Sequence, residues 1–331
     1  MQHHTPQLEN ESLSALLSDL PNYLVHARTD NTVKAYSSGF NTWKKWADTY
    51  SVEHLPANPL SFALYMLSLI QGDQNITKIR NIYYAVKFYH NTLHFPDPTS
   101  NEVVQEMLEV AKRLCKKKIN KKNPITIEHV KQLLESFSSG GTISLQDLRT
   151  FVMILLGFSG FLRYDELSNI RFGDFIFHDT YFNTFIEESK TDVYRDGKWV
   201  TISGSGSELC PLRNLREYLE RADIRGDNLS QFIFRGIVKT KNGERLRKKN
   251  KPLSYTRARE IILKSITSIG LNERLFGTHS LRAGGATTAA NAGVPDRLFK
   301  RHGRWLSDKA KDMYVEDDLE HLLSVTKAMG L

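Results

Sequence analysis

Thr278-His279-Ser280-Leu281-Arg282-Ala283-Gly284-Gly285 opens the stretch that decides how this chain folds. Its spacing predicts an Ala-rich helix from Ser280 to Asn291, closed by Gly293, with His279 and Arg282 three positions apart at the start. Residues three apart share a helix face, so an imidazole and a guanidinium project together. Gly284, Gly285 and the alanines behind them carry little bulk and let another helix approach closely.

Downstream follow Gly303-Arg304-Trp305 and Asp312-Met313-Tyr314-Val315, with Tyr314 nine positions beyond Trp305 and Ser307 able to cap a short helix between them. A phenol with a pKa of about 10 is a poor nucleophile at neutral pH unless cations or a base assist it. His279 and Arg282 could supply that help, together with Arg163. Trp305 suits a core position as well as a phosphate contact through its indole N–H. Upstream, Gly160-Phe161-Leu162 leads into Arg163 and Glu166, again three apart. That pair reads either as a structural ion pair or as a carboxylate orienting a phosphate-binding fork. Lys190, in Glu188-Ser189-Lys190-Thr191, lies before an Asp196-Gly197 turn, and Lys198 follows it. Either lysine suits proton delivery to a leaving oxygen, and either suits an ordinary exposed strand position.

The composition favours a polyanionic partner. The chain has 331 residues and a formal charge of +8, from 45 basic and 37 acidic residues. Lys112–Lys122 and Lys239–Lys251 each hold seven basic residues, with Glu244 the one acid between them, and the remainder is mildly acidic. Two concentrated basic stretches flanking a candidate phosphodiester site point to nucleic acid. Cys115 and Cys210 form no CxxC pair, so neither a disulfide framework nor a zinc cluster is legible. Neither a P-loop nor a carboxylate cluster suited to paired magnesium ions is present. The apolar run Phe151–Leu162 is too short for a membrane span and is broken by Gly157 and Gly160. With no signal-peptide pattern at its start, the chain is expected to be intracellular, with no cofactor, no metal and no membrane partner.

The organisation is mainly α with a small antiparallel β-sheet, in two domains. Val33, Tyr36, Phe40, Trp43 and Trp46 form one stripe of a helix from Thr32 to Tyr50, capped by Asn31 or Thr32. Further helices are expected at Leu60–Ile70, Ile76–Leu93 and Asn101–Leu114. The aromatic stripes read as the interior of a helical domain over residues 1–115. A basic, Pro-terminated linker follows at 116–124, including Lys116 and Lys117, and a second domain covers 125–331. In that domain Phe175–Tyr194 and Trp199–Ile202 are β-like, joined through Arg195-Asp196-Gly197-Lys198.

The ordered series Arg163, Lys190, His279-x-x-Arg282, Trp305, Tyr314 resembles the catalytic set of the tyrosine recombinases. It is closest to Cre-like members, in which Trp takes the place of the second His of Xer-type enzymes. His302 lies near that position, but the nine-residue step to Tyr314 selects Trp305, which leaves His302 structural or DNA-facing. The resemblance covers nearly the whole chain. Asn31-Thr32-Val33-Lys34 looks like the opening helix of a core-binding domain, and Thr77-Lys78-Ile79-Arg80-Asn81 like its DNA-facing helix start. Tyr255-Thr256-Arg257-Ala258-Arg259-Glu260 looks like a helix that reads the major groove, with Arg257 suited to guanine and Glu260 to cytosine or to positioning Arg257. The Lys-rich loops also suit recombinases of eukaryotic mobile elements.

The resemblance implies a C-shaped two-domain clamp on double-stranded DNA. Tyr314 would form a 3′-phosphotyrosine, Arg163 and Arg282 would stabilise the transition state, His279 would manage the tyrosine proton and Lys190 would serve as general acid. It implies a homo-tetramer on two inverted-repeat sites, a monomer or dimer when free, with Asp317–Leu331 inserted into a neighbour. The location would be nuclear in a eukaryote, cytoplasmic in a bacterium. Rival readings are a type IB topoisomerase-like enzyme and a catalytically inactive, domesticated DNA-binding protein.

Overall fold

The computed structural model describes residues 11–116, 121–187, 197–241 and 243–330. Its contacts divide the chain into two compact units, Met1–Asn120 and Lys121–Leu331.

The first unit is helical. Its elements are α1 (Glu11–Leu24), α2 (Asp30–Thr49), α3 (Pro59–Gln71), α4 (Ile76–Thr92) and α5 (Glu102–Leu114). Side-chain caps set most of the starts: Asn58, Asn75 and Asn101 each accept backbone N–H groups of the first turn of α3, α4 and α5. For α2 the cap is Thr29, not Asn31 or Thr32. Its hydroxyl accepts from the Thr32 amide, which places Asp30 in the first turn, where the helix dipole favours an acid. The predicted stripe turns inward. Trp43 is fully buried against Phe62 and Tyr65, and its indole N–H donates to the His54 carbonyl at 3.0 Å. Gly39 of α2 faces Ala85 and Asn81 of α4, and a Cβ there would lie 3.0 Å from Asn81 Nδ2. α1 buries no residue.

The second unit is mainly α, with two small antiparallel sheets. Its helices are α6 (Ile127–Ser138), α7 (Leu145–Ser159), α8 (Tyr164–Asn169), α9 (Pro211–Arg221), α10 (Tyr255–Ser268), α11 (His279–Asn291), α12 (Asp296–Gly303), α13 (Asp308–Asp312) and α14 (Leu319–Ala328). Strands β1 (Phe175–Phe177), β2 (Tyr181–Ile186) and β3 (Lys198–Ser203) form one sheet, and β4 (Ile237–Thr240) pairs with β5 (Gly243–Leu246). The β-like stretch from Phe175 contains its own reversal, because the His178 amide donates to the Tyr181 carbonyl and the chain turns back within five residues. The β2–β3 ladder runs from Tyr181↔Ser203 to Ile186↔Lys198. Residues 188–196, with Lys190, lie outside the described residues, as does Lys117.

α7 is the axis of this unit. Its apolar run Phe151–Phe158 is buried all round, which is what an uninterrupted hydrophobic helix requires. α11 crosses α7 closely enough that side chains are excluded at the crossing. A Cβ on Gly285 would sit 1.9 Å from the carbonyl oxygen of Phe158 in α7, and one on Gly284 the same distance from that of Ile125, in the segment that leads into α6. The second half of the expected linker belongs to this unit. Lys122 Nζ bonds to the Arg274 carbonyl, Asn123 N–H to that of Leu275 at 2.8 Å, and Ile125 N–H to that of Ser280 at 3.0 Å. Pairing these backbone groups outweighs the polar composition that suggested a free linker. α14 buries no residue.

Candidate active site

Five of the predicted residues converge at the end of α7, the start of α8 and the segment after α12. Phe161, directly after α7, adopts the left-handed region (φ 49°), a sparsely populated conformation for a bulky residue. Its carbonyl oxygen accepts from both Arg282 Nη1 and Arg304 Nη2. Arg163 then occupies the position before the first turn of α8, and Glu166 in that turn closes back on it. Glu166 Oε1 accepts from Arg163 Nη1 at 2.7 Å, and Oε2 accepts from the Arg163 amide at 2.8 Å. Oε2 also accepts from Arg304 Nη2 at 2.8 Å. Burial pushes the Glu166 carboxyl up, but Arg304, the Arg163 amide, and the charges of Arg163 and Arg282 outweigh it and hold the group below its ordinary value.

Arg282 is fully buried one turn into α11. Besides Phe161 it donates through Nη2 to the Gly303 carbonyl at 2.6 Å. Its guanidinium carbon lies 4.6 Å from the centre of the Trp305 ring and 5.0 Å from that of Tyr314, between two aromatic faces. Burial, chiefly, and the neighbouring Arg163 draw its pKa down to about 9, with Glu166 pulling the other way. It therefore stays cationic at neutral pH. Trp305 and Tyr314 are themselves 5.8 Å apart, and Phe161, Ala286 and Phe299 complete an apolar floor with Trp305. Thr287 anchors the tyrosine's backbone: its hydroxyl donates to the Tyr314 carbonyl at 3.2 Å and accepts from the Glu316 amide at 3.1 Å. Ser307 caps α13 between Trp305 and Tyr314, accepting from the Ala310 amide.

Three guanidiniums, Arg163, Arg282 and Arg304, thus face one carboxylate. The buried Nε–H of Arg282 and indole N–H of Trp305 have no acceptor within the described residues. Orphaned donors in a cationic, largely dry recess favour an oxyanion, since each costs about 1–3 kcal/mol unpaired.

The remaining predicted residues are placed differently. His279 is exposed, as the first residue of α11, one turn from Arg282. Lys198 is exposed on the last rung of the β2–β3 ladder. Arg257 and Glu260 pair at 3.1 Å on the exposed face of α10. In the first unit Lys34, Lys78 and Arg80 are exposed on α2 and α4, and Lys116 is exposed after α5. Asn81 donates to the Ala35 carbonyl at 2.9 Å. His302 is structural: its Nε2–H donates to the Ser159 carbonyl at 2.7 Å, and its ring packs edge-on against Phe161. Burial, first, and the adjacent Arg304 and Arg282 lower its pKa against the pull of Ser159.

Sequence reasoning missed Arg304 and the Phe161 carbonyl. The Glu166–Arg304 pair is 138 positions apart, so no local spacing betrays it. Among the described residues no group of three His, Cys, Asp or Glu side chains could hold a metal ion, and no helix is long and apolar enough to cross a membrane.

Residues 123–321 match the sequence profile of the Phage integrase family. An integrase/recombinase xerD homolog of Selenomonas ruminantium is 29% identical over 298 residues, 88% of this chain and 83% of that protein. Among solved structures, XerH site-specific recombinase bound to palindromic difH substrate in a post-cleavage complex superposes with a TM-score of 0.65, at 14% identity over 90% of this chain and 80% of that one. The Tn1549 transposon integrase with transposon right end DNA gives 0.59 at 12% identity, over 95% and 99% of the two chains. A lambda integrase dimer bound to a COC′ core site gives 0.55 at 15% identity, over 92% and 77%. At such identities the superpositions establish a common fold.

Proposed function

Because the chain belongs to the phage integrase family, we propose that it is a site-specific tyrosine recombinase that cuts and rejoins duplex DNA through a 3′-phosphotyrosine. The observation that carries the reading is Arg282 held between the Trp305 and Tyr314 rings, beside Arg163, with buried donors awaiting an acceptor.

The Tyr314 phenol oxygen attacks a backbone phosphorus and loses its proton, which His279 manages. The bond from phosphorus to the 5′ oxygen breaks, and that oxygen leaves as a hydroxyl with a proton from Lys190, or from Lys198. Arg163 and Arg282 hold the non-bridging oxygens as charge builds on them, with the Trp305 N–H as a further donor. Glu166 keeps the Arg163 fork in place. The phosphotyrosine conserves the bond energy, so a 5′-hydroxyl reverses the step and rejoining consumes no nucleotide.

DNA as partner is supported by the XerH, Tn1549 and lambda integrase structures, each a DNA complex. The first unit, with Lys34, Lys78, Arg80 and Asn81, would serve as core-binding domain, and Arg257 with Glu260 would read base edges. Lys116 would contact phosphates. Exchange between two inverted-repeat sites would take four copies. α14 suits docking between them, because Leu319, Leu322, Leu323 and Val325 are all exposed. Trp305 supports a Cre-like grouping, and the Lys-rich segments a mobile-element origin.

Covalent trapping tests this. Wild type and Tyr314→Phe are incubated with a pool of nicked, randomised duplexes, and protein-linked DNA is isolated under denaturing conditions and sequenced. An adduct with wild type alone, enriched in inverted half-sites, is the expected result. Adducts without sequence preference would instead indicate a topoisomerase-like enzyme. DNA retention without any adduct would leave a DNA-binding protein.

A further inference from the structure

Of the three guanidiniums in the recess, the cleavage steps above leave one, that of Arg304, without a task. Arg304 is 4% exposed and follows α12 in the left-handed conformation, φ 56° and ψ 36°. Glycine occupies that position at a helix end with little cost, whereas a residue with a side chain stays there only when its contacts over-determine it. Arg304 has such contacts. Nη2 donates to Glu166 Oε2 at 2.8 Å and to the Phe161 carbonyl at 3.1 Å. Nη1 donates to the His302 carbonyl at 3.0 Å and to that of Gly160 at 3.3 Å. One side chain therefore fastens the end of α7, the first turn of α8 and the end of α12.

Glu166 Oε1 holds the Arg163 fork, and Glu166 is in turn held by Arg304. The Phe161 carbonyl that receives Arg304 also receives Arg282. Both phosphate-facing arginines thus take their placement from groups that Arg304 secures. The charge count points the same way. With Arg304 present, three guanidiniums face one carboxylate and the recess keeps an excess of two positive charges; without it, one.

We propose that Arg304 is a positioning residue for cleavage: by fixing Glu166 and the Phe161 carbonyl it aligns Arg163 and Arg282, and its charge prevents Glu166 from neutralising them. The inference rests on reading this site as one that cleaves DNA.

The test compares wild type, Arg304→Gly, Arg304→Gln and Arg304→Lys on a nicked duplex recovered from the trapping selection. Each is assayed with an ordinary scissile phosphate and with a methylphosphonate, which carries no charge. Glycine relieves the backbone at this position, and glutamine and lysine carry the comparison if glycine fails to fold. Adduct formation on the phosphate is expected to slow on the order of 10- to 100-fold in the Gly and Gln variants, with unchanged native DNA retention. Lysine should recover part of the loss. The deficit should shrink on the methylphosphonate, whose reaction demands less positive charge, whereas a merely structural defect slows both substrates equally. Unchanged rates, or equal deficits on the two substrates, would overturn the role. Absence of any adduct with wild type would overturn the recombinase reading itself and this inference with it.

Discussion

The Trp305 ring fills the space that a side chain at Gly303 would need: a Cβ there would lie 1.9 Å from Trp305 Cζ3. The ring cannot yield without giving up its place over Arg282. Gly303→Ala is therefore expected to move the indole and lower adduct formation by at least about tenfold, with a changed tryptophan emission spectrum as the structural reporter. An unchanged spectrum and rate would show that the added methyl is accommodated without displacing the ring.

The contact between α11 and the segment leading into α6 gives a stability prediction. At Gly284 a Cβ would meet the Ile125 carbonyl, a backbone atom that cannot rotate away. Gly284→Ala should lose about 1–3 kcal/mol or more and lower the thermal midpoint of the full chain, as overpacking does. Gly140, where nothing lies within 4 Å of an added Cβ, is the control, and Gly140→Ala should leave the midpoint nearly unchanged.

His90 sets a pH dependence in the first unit. It is fully buried, its Nε2 accepting from the Ala57 amide and its Nδ1–H donating to the Val86 carbonyl, both at 2.8 Å. Burial lowers its pKa below 6.5 against the upward pull of Val86 and Asp97. The unfolded chain binds the proton first, so the stabilisation is complete above pH 6.5 and declines as the pH falls through the folded value. His129 and His302 are lowered as well and share this slope. Thermal melts between pH 7.5 and 5 should fall for wild type and fall less steeply for His90→Gln, which starts from a lower midpoint. Parallel curves would remove His90 from the account.

The β4–β5 hairpin is expected to meet DNA phosphates. Its one acid, Glu244, accepts from the Gln146 amide at the start of α7 (3.0 Å) and stands 3.7 Å from Lys239, while Lys239, Lys241 and Arg245 are all exposed. Replacing these three with Gln should weaken DNA retention and reduce the slope of log affinity against log salt by about 0.9 per lost contact. An unchanged slope would place the hairpin off the DNA.

What the sequence made legible was local. His279 and Arg282 lie one turn apart, Arg163 and Glu166 likewise, and helix geometry alone puts each pair on a common face. Trp43 and its stripe followed from the 3.6-residue period. The start of α2 was missed by two to three residues, because Thr29, Asp30, Asn31 and Thr32 can all cap and only the Thr29–Thr32 bond decides among them. Arg304 was illegible for a different reason. Its backbone conformation is imposed by partners at Gly160, Phe161 and Glu166, which sequence distance hides. The strand predicted to run on to Tyr194 ends at Ile186 as far as residues are described, and the reversal at His178 left no glycine or proline as a marker.

Thr287 carries a last consequence. It lies on α11 five residues beyond Arg282, and its hydroxyl grips the chain on both sides of Val315. Tyr314 and the guanidinium beside it are therefore mounted on one strut. A load applied to α14, which nothing in its own subunit buries, reaches the Thr287 anchorage at Glu316 before it reaches Tyr314. Tension from the tail is thus shared with α11 at Thr287 before it is borne by the Tyr314 backbone alone.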